Sequence, residues 1–101
     1  MPEPKIRLDL NNPVFQAQLF QLQKNHQASI FSSFKKLSQM TWQQMYQDSG
    51  FNWELVHSKT GPSHEKIYSL RTGKGFRALA FREGEWLRLL SLHPDHDSAY
   101  D

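Results

Sequence analysis

Cysteine is missing from the chain, and its absence removes two classes of small protein. Neither a disulfide-stapled scaffold nor a thiolate zinc site can be built, and a reducing compartment fits. Long apolar runs are missing as well. No stretch approaches the roughly 18–20 residues of a membrane span, and Met1–Lys5 lacks the charged-then-apolar layout of a signal peptide. A soluble, cytoplasmic protein with no membrane partner is expected. Glycine and proline are sparse at five each, and no linker, repeat or low-complexity segment interrupts the chain. A large charge of one sign is lacking too. The net charge of +2 and isoelectric point near 9.0 permit contact with nucleic acid or an acidic partner without demanding it.

What is present is enough for one domain spanning residues 1–101. Folding at this size buries roughly two-thirds of the extended chain's surface, and seven Phe, three Trp and three Tyr supply the core. Ile6, Leu8 and Leu10 alternate with polar residues, as a short strand would. Asn12-Pro13 reads as an N-cap with proline at the first helical position. Phe15, Leu19 and Leu22 form one helical stripe, and Ile30, Phe34 and Leu37 a second. Lys24-Asn25-His26 between them reads as a turn or as a solvated face, and two antiparallel helices are preferred to one bent helix.

Thr41-Trp42-Gln43-Gln44 has the form of a capping box, so a third helix starts at Trp42, with Gly50 as its expected stop. The period then changes to two. Phe51, Trp53 and Leu55 predict a strand running into His57. Lys66–Arg71, Phe76–Arg82 and Trp86–Leu92 read as further strands, joined by glycine-containing turns, with Glu83-Gly84 a tight hairpin. The fold class is therefore α+β: an N-terminal strand and helices packed on an antiparallel sheet of three to four strands. The middle strands have few polar positions, so helices should cover one face and the C-terminal segment touch part of the other. The polar segment from His93 to Asp101 reads as a tail.

From Lys59 to Arg88 the chain carries seven cations against Glu65, Glu83 and Glu85. This is either a solvated sheet surface or a phosphate-binding face. Thr60-Gly61-Pro62-Ser63 and Thr72-Gly73-Lys74-Gly75 do not fit the phosphate-loop pattern and are turns. His93, Asp95, His96 and Asp97 invite a metal reading, but the spacing is not the helical H-x-x-x-H, and no further ligands cluster nearby. No metal or cofactor is expected. Trp42, Tyr46, Phe51 and Trp53 form either core or a binding surface.

Ile67–Arg71, the hairpin loop and Phe76–Phe81 resemble the paired central strands of the RelE/ParE toxin superfamily, in which an aromatic-Arg pair opens the second strand after a short turn. The polar segment ending in Tyr100 matches that pattern, and the similarity runs from Phe51 to Tyr100. The resemblance implies a RelE-like fold and a toxin of a type II toxin–antitoxin system. Its RNA-cleaving members cut messenger RNA on the ribosome without a metal. The ribose 2′-oxygen attacks the adjacent phosphorus, so one group takes a proton, another protonates the leaving 5′-oxygen, and cations hold the phosphate.

By position in the motif, Arg77 grips the phosphate, and His96 and Tyr100 handle protons. Lys66, Arg71, Lys74, Arg82 and His93 would contact RNA. Each also has a plainer reading: Arg77 as a solvated strand residue, His96 as a solvated tail residue, Tyr100 as an anchor for the tail. Lys66 and Arg71, five positions apart, should face opposite ways on a regular strand. The implied partners are an antitoxin protein, the ribosome and messenger RNA. Two other readings remain open. One is the gyrase-binding branch, which cuts nothing; the other is a non-toxic interaction protein that keeps the fold.

Overall fold

The computed structural model describes residues 3–94. In chain order the elements are β1 (Arg7–Asp9), α1 (Pro13–Phe20), α2 (Lys24–Ser38), α3 (Trp42–Gln47), β2 (Glu54–Thr60), β3 (Lys66–Arg71), β4 (Phe76–Glu83) and β5 (Trp86–Pro94). The class is α+β. No helix among the described residues is long and apolar enough to cross a membrane.

Local signals start the helices. Asn12 Oδ1 accepts from the Val14 and Phe15 amides, and Pro13 occupies the first helical position. The Thr41 hydroxyl accepts from Gln44 N while the Gln44 side chain accepts from Thr41 N, completing the capping box. Two helices replace the ambiguous middle. Residues 21–23 separate them, and Lys24-Asn25-His26 forms the first turn of α2 rather than a connection. The third helix stops at the Asp48 cap, ahead of Gly50.

The first three strand positions anticipated after that helix, residues 51–53, are not strand. Phe51 N bonds back to Asp48 O, and Asn52 takes the left-handed region at φ 49°. Asn tolerates that conformation better than most residues. Phe51 is instead buried in the core, and its carbonyl accepts from Arg71 N. Pairing therefore begins at Glu54.

The sheet has five strands in the order β1-β5-β4-β3-β2, not three to four. Four make the expected antiparallel meander. The fifth, β1, adds to the far edge in parallel with β5, with Arg7, Leu8 and Asp9 opposite Trp86, Leu87 and Arg88. Arg88 reaches Asp9 at 2.8 Å and Arg7 reaches Glu85 at 3.3 Å. These are long-range partnerships, which no local period announces.

All three helices cover one sheet face. Phe15, Leu19, Ile30, Phe34, Leu37, Trp42 and Met45 pack there on Leu70, Ala78, Ala80, Leu87, Leu89 and Leu92. The opposite face, here called the open face, carries a smaller buried group of Val56, Ile67, Leu79 and Phe81, with Leu90 beside it. Strand β5 contains one extra residue. Leu79 pairs with Ser91 but Ala80 pairs with Leu89, so Leu90 bulges out of register. The bulge is why Leu87, Leu89 and Leu92, spaced two then three apart, all reach the helical side.

Candidate functional site

The same bulge decides which way His93 points. Beyond Leu90 the alternation of β5 is reversed, and Ser91 and His93 emerge on the open face. His93 lies in β5, not in a tail, and pairs with Arg77 of β4. Arg77 in turn pairs with Arg71 of β3. Paired residues share a face, so Arg71, Arg77 and His93 form a row across three adjacent strands. With strands about 4.8 Å apart, the row spans roughly 10 Å between its outer backbones.

The turn between the two arginines is anchored to α2. Gly73 N donates to Ser33 Oγ and Lys74 N to Ser29 Oγ, both at 2.7 Å. Gly73 has φ 73°, and a Cβ there would sit 2.8 Å from Ser29 Oγ and 2.9 Å from the Ser29–Ile30 backbone. Only glycine permits this approach. Helix α2 thereby fixes the ends of β3 and β4, which carry Arg71 and Arg77.

Arg77 is largely buried, its side chain 14% exposed, with Glu54 Oε2 3.9 Å away. Its Nη1 donates to Ser69 Oγ at 3.3 Å. Beside it, His93 Nε2 lies 2.8 Å from Ser91 Oγ. Burial pushes the His93 pKa below the ordinary histidine value, and the positive charge of Lys59 pushes it the same way. His93 is therefore neutral at pH 7 and can accept a proton. Two guanidiniums beside a neutral imidazole can hold an anion with more than one oxygen and relay a proton next to it.

The other cations expected to touch RNA are distributed elsewhere. Lys74 is exposed on the turn at the same end of the sheet as the row. Lys66 faces the helical side, opposite to Arg71, as five positions along a regular strand require. Arg82 is five residues along β4 from Arg77, roughly 16 Å at the usual strand rise. It also faces the helical side, where Nη1 donates to Tyr46 Oη at 2.9 Å, Nε donates to Gly84 O at 2.8 Å, and the guanidinium lies 4.6 Å from the Trp42 ring centre. Arg82 thus belongs to an aromatic cluster of Trp42, Tyr46, Trp53 and Tyr68. Lys66 and Arg82 do not join the row.

His96 and Tyr100 lie outside the described residues, as do Asp95 and Asp97. Among the described residues no three His, Asp or Glu side chains come together as a metal-binding group. Sequence reasoning missed Ser69, Ser91 and Lys59 as neighbours of the row. Serine alternating with apolar residues in a strand is the one signal that pointed to the first two. Comparison of the chain with protein-family models, with curated proteins and with solved structures finds no match.

Proposed function

We propose that this chain is the toxin-like component of a type II toxin–antitoxin pair with a RelE/ParE-like fold, and that it cleaves messenger RNA on the ribosome. The observation that carries the reading is the alignment of Arg71, Arg77 and His93 on one face of three neighbouring strands. Phosphodiester cleavage by the ribose 2′-oxygen needs positive charge at the phosphate and a base at the 2′-hydroxyl. The arginines supply the first, so the reaction needs no metal ion to neutralise the phosphate, and a neutral imidazole beside them suits the second. Lys74, at the same end, extends the positive surface along the RNA backbone. His96 and Tyr100 are proposed, from the resemblance alone, for the proton to the leaving oxygen. An antitoxin would be the protein partner, laid over the same face.

Inducing the chain without a partner in bacterial cells, beside Arg77→Ala, tests this reading. Growth arrest with new transcript ends, both lost in Arg77→Ala, is the expected result. Arrest with intact transcripts and inhibited supercoiling would replace it with gyrase binding. Unimpaired growth would leave an interaction protein.

A further inference from the structure

We infer that Ser91 is a positioning residue for the cleavage reaction: its hydroxyl holds His93 Nε2 and leaves Nδ1 as the nitrogen that takes the proton from the ribose 2′-hydroxyl. The inference rests on the RNA-cleaving reading above and assigns the proton acceptor within it.

Three observations support the pairing. The Leu90 bulge turns Ser91 and His93 to the same face, two positions apart on one strand. Their side chains meet at 2.8 Å through Nε2. The ring is also half-buried.

The tautomer follows from the neighbours. The charged groups on the same face are Arg77, paired with His93 from β4, Arg71 on β3, Lys59 on β2, whose positive charge acts on His93, and Glu54 on β2, which lies against Arg77. Arginine and lysine offer donors only, so a ring nitrogen near them is favoured as a lone pair rather than as N–H. A serine oxygen accepts readily. On this inference the proton sits on Nε2, donated to Ser91 Oγ, and Nδ1 is left with its lone pair. Without Ser91 both tautomers become accessible, and only one of them has its lone pair on Nδ1.

The step balances without a further reagent. Nδ1 takes the 2′-hydroxyl proton and His93 becomes imidazolium, its N–H at Nε2 still donated to Ser91. The bond from the 2′-oxygen to phosphorus forms and the bond from phosphorus to the 5′-oxygen breaks. The leaving oxygen takes a proton from the general acid of the reading above or, without one, from water, and the product is a 2′,3′-cyclic phosphate with a free 5′-hydroxyl.

The test combines nitrogen-15 NMR of the His93 ring in the full chain with cleavage of a translated messenger RNA in a purified translation system. The wild type, Ser91→Ala and Ser91→Thr are compared. The wild type should show the Nε2–H tautomer. Ser91→Ala should show a mixture, with kcat at least about tenfold lower and KM unchanged, and Ser91→Thr should restore both. A dominant Nδ1–H form in the wild type, or full activity in Ser91→Ala, would overturn the role of Ser91 while leaving the RNA-cleaving reading intact. A wild type that cuts no RNA would overturn that reading, and the role of Ser91 with it, whatever the NMR shows.

Discussion

The two ends of the β4–β5 hairpin surround arginine differently. At the Glu83-Gly84 end, Arg88 is shared between Asp9 at 2.8 Å and Glu83 at 2.7 Å, Arg7 meets Glu85, and Arg82 lies on Trp42 with Tyr46 and Gly84 O as acceptors. All three tryptophans (Trp42, Trp53 and Trp86) gather toward that end, and Arg7 and Arg88 flank the Trp86 ring. There, each cation is matched by a carboxylate, a carbonyl or an aromatic ring. At the far end, Arg77 also has partners, Glu54 at 3.9 Å and Ser69 at 3.3 Å, but it stands directly opposite Arg71, a like-charge pairing that disfavours the sheet. A fold that places two guanidiniums side by side next to a low-pKa histidine gives up some stability in a pattern suited to an anion. The same side chain thus serves as mortar at one end and as a candidate phosphate grip at the other.

The sharpest way to break this comparison is to remove one arginine from each end. Arg77→Ala should lower messenger RNA cleavage by about 10²-fold or more, the usual size for losing transition-state charge stabilisation. Arg88→Gln should leave cleavage unchanged and lower the thermal midpoint. Equal losses of cleavage would erase the distinction between the ends.

The turns give a second contrast. Gly73→Ala places a methyl group against the α2 backbone in a left-handed conformation, and should cost about 2–3 kcal/mol in denaturant melts. It should also disturb cleavage, because Arg71 and Arg77 flank that turn. Gly84 has φ 62° but open space around it, so Gly84→Ala should cost only about 1 kcal/mol and spare activity.

Acid separates the ends more gently. The folded pKa of His93 lies below 6.5, so the unfolded chain binds the proton first, and the associated stability falls as pH drops below about 6.5 until the folded histidine protonates too. The Asp9 carboxyl is held below 3.8 by hydrogen bonds from Arg88 and the Asn11 amide. Its contribution is complete above that value and fades as pH falls through the lower folded pKa. Stability curves should therefore lose the higher step in His93→Asn and the lower step in Asp9→Asn.

Much of the framework was legible locally. Asn12-Pro13, Thr41 with Gln44, and Gly84 name their elements because each acts through bonds within a few residues. The site was legible in type but not in arrangement. Arg71 and Arg77 could be placed on neighbouring strands, whereas His93 was read as tail because its pairing with Arg77 depends on the bulge at Leu90. In the sequence that bulge shows only as a two-then-three spacing of leucines. Arg82 was assigned to RNA because a cation in a strand does not reveal its face until Trp42 and Tyr46, some forty residues earlier, fold against it. The strand at Arg7–Asp9 was legible, but its parallel pairing with β5 was hidden for the same reason.

The most direct measurement is a double-mutant cycle on Arg77 and His93, reading single-turnover cleavage of ribosome-bound messenger RNA. If the two act together on one phosphodiester, Arg77→Ala/His93→Gln should lose little more than the worse single variant, because groups that act as a unit are strongly non-additive. Losses that simply multiply, or a His93→Gln variant as active as the wild type, would contradict the claim that this row is one catalytic site.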